Sequence, residues 1–279
     1  DVYKRQVFTM FLAIGFAIIF SRPVKATANG VQLKANRTYT AYDVTGDGMK
    51  DKIRIRAANQ TDDEAYASLT VSVNGKTAYR LKNTRFYNVI ANIYTLKNGQ
   101  PFLYLYAPAE NGDGPVCALL KYTNGKFRKI LDFTEIMAGY GNHRIGEVTN
   151  LNGNKIVITE SIVSYSLGIN AINFTYEYVN GKFVPTSRYG SYKEIYSADG
   201  SSRYFTVNSD LPAYARPGAT AVNTTLKTGS LTKIIKCALI NRKMYIQLEC
   251  DGEIYWIKAL ENPPISDSER QFMEVRYAG

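Results

Sequence analysis

Histidine and tryptophan each occur once in this chain, and cysteine three times. The sole histidine, His143, would have to serve any Cys/His or Ser/His/Asp machinery. Its one mechanistically interesting partner is Cys117, and neither residue is followed by a glycine-rich nucleophile turn. Three cysteines are too few, and odd in number, for a disulfide framework. Cys237 and Cys250 flank a predicted hairpin and could pair, with buried free thiols the favoured reading. No stretch keeps a helical period for long. The chain is basic, formally +10 at pH 7, yet its charges are scattered, without the clustered stripe of a nucleic-acid reader. Nucleic acid is therefore not the expected partner. Two carboxylates about 5–10 Å apart, as glycoside hydrolysis needs, are not excluded by sequence. Glu160, which interrupts the apolar run IVITESIV, is the first acid to inspect, with an ion pair to Arg144 as the alternative.

Residues 7–20 read VFTMFLAIGFAIIF, followed by Ser21-Arg22-Pro23 and Val24-Lys25-Ala26-Thr27-Ala28. An apolar run this long falls short of the ~20 residues that cross a bilayer and matches a signal-peptide core. Cleavage is expected after Ala26 or Ala28, with no cysteine there for a lipid anchor; an uncleaved membrane anchor is the alternative. Residues 1–6, DVYKRQ, back-translate to something resembling the transposase end used to fragment DNA for sequencing and are set aside. Of the 34 Lys and Arg, four precede the cleavage, as does one of the 24 Asp and Glu, which leaves a mature chain near +7. For an exported basic protein the wall polyanions are the expected counter-charge.

Seven Asn-Gly dipeptides punctuate the chain, six of them between residues 74 and 181. Asn and Gly tolerate the positive φ that tight hairpin turns demand. Their contexts recur as SVNGKTAYRL, KYTNGKFRKI and EYVNGKFVPT, spaced by 50 and then 56 residues. A second hairpin precedes each, at YDVTGDGMKDKIRI, YTLKNGQPFLYL and TNLNGNKIVI. Three four-strand meanders follow, with strands at about 37–43, 51–57, 66–73 and 76–82; 88–96, 101–107, 116–123 and 126–133; and 143–150, 154–162, 170–179 and 182–187. A four-strand unit of this period is the signature of propeller blades. Three blades are too few to close a ring, so an open or incomplete propeller-like module is expected, with a twisted sandwich as the alternative.

Asp43-Val-Thr-Gly-Asp-Gly-Met-Lys-Asp51 places oxygen side chains from Asp43, Thr45, Asp47 and Asp51 and the Met49 carbonyl at the spacing with which a tight loop wraps Ca²⁺. It resembles the calcium loops of FG-GAP or VCBS-type repeats, with Thr45 a weaker ligand than their Asn or Asp. The resemblance implies one structural Ca²⁺; an Asp-Gly turn without metal is the alternative. Residues 204–259 resemble a bacterial Src-homology-3-like domain of cell-wall type. The residues that carry the likeness are Leu211-Pro-Ala-Tyr-Ala-Arg-Pro-Gly218, Leu226-Lys-Thr-Gly229 and Asp251-Gly-Glu-Ile-Tyr-Trp-Ile-Lys258. It implies binding of peptidoglycan peptides or wall glycans by aromatic faces such as Tyr214, Tyr245 and Trp256, with barrel core as the alternative role for these rings.

The sequence thus predicts an all-β protein: a leader over 1–28, a three-meander module over 29–187, a linker over 188–202, a small Src-homology-3-like barrel over 203–260 and a tail over 261–279. The expected role is secreted and non-catalytic, bound to a cell-wall polymer, peptidoglycan or teichoic acid, of a Gram-positive-type surface, with no membrane span in the mature chain. A wall-active hydrolase using carboxylates and an adhesin for a host glycan or protein are the competing readings. In the blade register the longer loops share one end of the strands, which puts a candidate ligand face at Glu110, Asp113, Tyr140, His143 and Tyr165.

Overall fold

The computed structural model describes residues 30–197 and 200–277, so the expected leader lies outside the described residues. The described chain is all-β, interrupted only by three single turns of 3-10 helix. It divides into two compact units, Asp1–Asp132 and Phe133–Gly279. Among the described residues no helix is long and apolar enough to cross a membrane.

The first unit contains β1 (Val31–Leu33), β2 (Thr38–Tyr42), β3 (Asp51–Gln60), β4 (Tyr66–Val73), β5 (Lys76–Phe86), β6 (Ile90–Thr95), β7 (Pro101–Ala107), β8 (Val116–Thr123) and β9 (Lys126–Asp132). They form two antiparallel sheets, β2-β3-β4-β5 and β1-β6-β7-β8-β9. Hairpin chemistry explains the register. Asn74 and Gly75 have φ of 50° and 79°, and Asn124 and Gly125 have 51° and 78°, a pair of positive values that matches the twist of the flanking strands. In β3 and β4 the pairs Ile53–Val73, Ile55–Val71 and Ala57–Leu69 stand opposite one another, and all six join a core with Leu103, Leu105, Ala118 and Leu120 of the second sheet. Each large buried side chain contributes roughly 1.5–3 kcal/mol, and a one-residue slip would turn the whole set to solvent. The second sheet also buries its other face, at Tyr94, Phe102, Tyr104, Cys117 and Leu119. That is why β7 and β8 read as nearly unbroken apolar runs rather than alternating ones. The short β1, which the periodicity does not reveal, pairs with β6 and not with its neighbour β2.

The second unit contains β10 (Gly141–Asn152), β11 (Lys155–Ser164), β12 (Gly168–Val179), β13 (Lys182–Pro185), β14 (Tyr189–Ser197), β15 (Gly200–Ser201), β16 (Tyr204–Thr206), β17 (Leu211–Ala213), β18 (Thr224–Leu226), β19 (Leu231–Ile240), β20 (Lys243–Cys250) and β21 (Glu253–Lys258). One open sheet runs β10-β11-β12-β14-β19-β20-β21, with β13, β15 and β16 alongside, and β17 and β18 form a separate pair. The third set of repeat strands therefore belongs with the C-terminal part of the chain.

Two sequence-based boundaries need correction. The expected linker contains β14, hydrogen bonded to β12 on one side and β19 on the other. Its polar look is that of a strand with one open face: Gly190, Tyr192 and Ile195 are buried, whereas Tyr189, Ser191 and Lys193 are exposed. The expected tail is equally structural. Phe272 bridges Val207 and Val275 bridges Ser197, and the Ile169 amide donates to the Arg276 carbonyl at 3.1 Å. Gly168 makes that approach possible, because its φ is +63° and a Cβ there would stand 2.1 Å from the Arg276 carbonyl oxygen.

All three cysteines are free and buried. Cys237 stands opposite Ile246 and Cys250 opposite Thr232, which separates the two along their strands well beyond the 4.4–6.8 Å that a disulfide spans between Cα atoms.

Candidate functional site

The register of the second unit's sheet builds a continuous row of side chains across it. Glu147 of β10 opposes Thr159, Thr159 opposes Asn173, and Asn173 opposes Ser191. Ser191 opposes Lys236, Lys236 opposes Gln247, and Gln247 opposes Trp256. Directly opposed residues project from the same face, so seven strands contribute one residue each to a single row. Beyond Trp256 the row is continued by Tyr214, bridged to it at the end of β17. The reverse face carries the apolar sequence expected of a core: Ile172 and Tyr192 on β12 and β14, and Cys237, Ile246 and Ile257 on β19 to β21, all buried.

The row ends in an aromatic and cationic cluster. Tyr214, Tyr245 and Trp256 pack together with Ala238, and Tyr189 lies against Trp256 with ring centroids 5.9 Å apart. Three strand intervals, roughly 14 Å, separate the strands of these two residues, so their side chains lean toward each other across β19 and β20. The Lys236 ammonium sits 4.6 Å from the Tyr189 ring centre and 6.0 Å from that of Trp256, and the Lys258 ammonium sits 5.0 Å from that of Tyr214. Tyr189 keeps 41% of its surface exposed whereas Trp256 keeps 4%. Tyr214, Tyr245 and Trp256 are thus packed aromatic core, as the alternative reading had it. The ring open to a ligand is Tyr189, whose position in the expected linker hid it.

At the other end, Glu147 is half-buried, and its carboxyl is pushed upward by desolvation, an effect that the nearby Lys193 opposes. The Thr159 hydroxyl donates to Asn173 Oδ1 at 2.7 Å, which turns the Asn173 amide hydrogens away from it. Glu160, on the same strand as Thr159, is fully buried on the reverse face. It fits there because Gly146 has no side chain: a Cβ would stand 2.2 Å from Glu160 Oε1 and 2.4 Å from the Phe133 ring. The Arg144 guanidinium donates to the Gly141 carbonyl at 2.9 Å.

The other expected ligand residues divide between the units. Glu110 and Asp113 are exposed, in and just after a single 3-10 turn of the first unit. In the second, Tyr140 is 4% exposed, and its hydroxyl lies 3.2 Å from the Arg242 carbonyl and 3.4 Å from the Glu261 carboxylate. Such a residue anchors the chain and presents no open ring. His143 is half-buried with a φ of 53°, and the Tyr165 hydroxyl donates to Asn142 Oδ1 at 3.2 Å. A surface hollow in the first unit is lined by Thr61, Asp63, Tyr66, Thr84 and Arg85; Arg85 pairs with Asp63 across it and stacks on Tyr87.

The 43–51 loop is closed by its own carboxylates. Asp51, 1% exposed, accepts from the Val44 and Thr45 amides at 2.7 and 2.9 Å and from the Asn74 amide at 2.6 Å. Asp43 accepts from the Gly46 and Gly48 amides at 2.6 and 2.8 Å, and Asp47 from the Met49 amide at 2.8 Å. Thr45 Oγ1 lies 3.2 Å from Asp43 Oδ1 and 3.3 Å from Asp51 Oδ1, so three of the oxygens converge. Among the described residues no group of three His, Cys, Asp or Glu side chains is placed to hold a metal. The fit to Ca²⁺ is partial, because Asp47 turns to the backbone instead of joining the other two carboxylates.

Comparison with known proteins adds no relative: no family model, no curated protein and no solved structure matches the chain.

Proposed function

We propose that this is an exported, non-catalytic protein that associates with the bacterial cell wall by holding a wall polymer on the open face of its second unit. The observation that carries the reading is the cluster toward the end of the row, where the exposed Tyr189 ring lies tilted against Trp256 with the Lys236 ammonium 4.6 Å from its centre. An aromatic plane beside a cation suits a polymer that has sugar faces and negative charge. The Src-homology-3-like reading of residues 204–259 is supported by one feature. The segment 204–214 pairs with β19 at its start and bridges β21 at Tyr214, so a single stretch touches both margins of the β19–β21 meander. The propeller-like reading of the repeats is supported by the sequential antiparallel order of β2 to β5 and of β6 to β9. A calcium ion at Asp43, Thr45 and Asp51 belongs to the same proposal, supported by their three converging oxygens.

The hydrolase reading has less behind it. Glu147 and Glu194 are acids of the open face on strands three intervals apart, with no contact between them among the described residues. Glu160 projects from the opposite face.

Sedimentation with purified walls tests the proposal. The full chain is expected to pellet with the walls, and the double variant Tyr189→Ala, Lys236→Ala to remain in the supernatant. Binding by diffuse charge alone would vanish at moderate salt for the native chain, since exposed charges are screened over about 8 Å at physiological ionic strength. Equal pelleting of native and variant chains would overturn the assignment.

A further inference from the structure

The chemistry of the row points to the class of polymer. From Glu147 to Trp256 it crosses six strand intervals, roughly 29 Å, with a carboxylate, a hydroxyl, an amide, a hydroxyl, an ammonium, an amide and an indole in succession. Ser191 is exposed, and Glu147, Asn173, Lys236 and Gln247 are half-buried. Among the described residues no side-chain hydrogen bond holds Glu147, Ser191 or Gln247, and the Asn173 amide is held through its oxygen, which accepts from Thr159. Flanking positions on the same face mix polar and apolar side chains, with Ser161 and the buried Ala171 on one side and Val157 and Thr175 on the other.

We infer that this row is a binding face for one extended polysaccharide strand running across the β-strands, a sugar stacked on Tyr189 beside the middle of the row and the chain hydrogen bonded to Gln247 on one side and to Ser191, Asn173 and Glu147 on the other. The inference rests on the wall-binding reading and adds the polymer class, its direction and its length. Nucleic acid and polyphosphate backbones fit poorly, because affinity for them comes from many cations. This row contains a single lysine and terminates in a carboxylate, and Lys193 near Glu147 and Lys258 over Tyr214 add only two further cations. A peptide added to a sheet pairs with an edge strand, whereas the row lies on the face. Hydroxyl and acetamido groups of a glycan strand match what is offered.

Calorimetric titration of the full chain with a length series of soluble amino-sugar oligosaccharides, and separately with teichoic acid, tests this. Affinity is expected to rise with oligosaccharide length and to level off once the chain fills the row. Gln247→Ala is expected to weaken binding of the long oligosaccharides about three- to tenfold, the value of one hydrogen bond, without a change in melting temperature. Ser191→Trp, at an exposed mid-row position beside Tyr189, is expected to weaken binding of short and long chains alike. Two results would overturn the binding face: affinity independent of length, or long oligosaccharides that bind both variants as well as the native chain. If native protein pellets with walls and binds teichoic acid but no oligosaccharide, the polysaccharide face fails and wall binding stands. If it binds none of the three, both fail together.

Discussion

Replacing Asp51 tests how the first unit is tied together. Its carboxylate is buried and accepts from the backbone amides of Val44 and Thr45 and from the Asn74 side chain, so it joins the 43–51 loop to the β4–β5 turn. Asp51→Ala strands two backbone N–H donors, one of them buried, and removes the acceptor of a third. At about 1–3 kcal/mol for each unsatisfied buried group, the expected cost is about 3–5 kcal/mol. For a unit of roughly 100 residues that corresponds to a fall in melting temperature of roughly 15–30 °C. Asp51→Asn keeps one acceptor oxygen but turns an N–H₂ group toward the Asn74 amide, and it is expected to cost about half as much. Urea denaturation followed by far-UV circular dichroism measures both. A loss below about 1 kcal/mol for Asp51→Ala would refute the argument, because the amides would then have found other partners. Repeating the native melt with calcium tests the metal: at ten times a dissociation constant of about 10⁻⁴–10⁻³ M, bound Ca²⁺ adds about 1.4 kcal/mol. Identical melting with calcium and with chelator would remove the ion from the proposal.

Gly168→Ala forces a Cβ to within 2.1 Å of the Arg276 carbonyl at a φ of +63°; the expected cost is about 2–4 kcal/mol, with the C-terminus opened to carboxypeptidase, and a native-like melt would contradict it. Burial pushes the Cys237 thiol from 9.0 up to about 12, so the stability it contributes is fully present below pH 9 and lost as the pH rises toward 12. Cys237→Ala is expected to flatten that alkaline loss, and native thiols to stay unreactive to a disulfide reagent at neutral pH. Desolvation raises the Glu147 carboxyl, which makes its ionised form a liability to folding. Glu147→Gln is therefore expected to raise the melting temperature at neutral pH, with no gain in acid below the unfolded-state value, while weakening glycan binding. A loss of stability at neutral pH would mean that Glu147 serves the fold.

Local chemistry made the strands legible. The Asn-Gly turns at 74, 124 and 180 adopt the positive φ pairs their residues favour, and the alternation Ile53, Ile55 and Leu69, Val71, Val73 gave the buried faces. What the sequence hid was pairing between distant strands. Nothing local to YGSYKEIY says that it lies between β12 and β19, since a strand with an open face looks as polar as a linker. The same ignorance of register hid the site. Glu147, Asn173, Ser191, Lys236 and Gln247 are ordinary polar residues on five strands, with the buried Thr159 on a sixth, and only the pairing brings them into line. The aromatic residues Tyr214, Tyr245 and Trp256 were picked out by type, yet type does not separate a packed ring from an open one. Tyr140 was misplaced for a related reason: a tyrosine beside a glycine loop reads as exposed until Arg242 and Glu261 are found around its hydroxyl.

The chain has a single tryptophan, and it stands at the aromatic end of the row, so its fluorescence reports occupancy of the face directly. Titrating the full chain with soluble fragments of purified wall is expected to give a saturable shift in Trp256 emission. In the Tyr189→Ala, Lys236→Ala variant the same titration is expected to require at least about tenfold more ligand, since a stacked ring and a cation each contribute about 1 kcal/mol. Wall fragments that bind the native chain while Trp256 emission stays unchanged would place the polymer elsewhere and contradict the account.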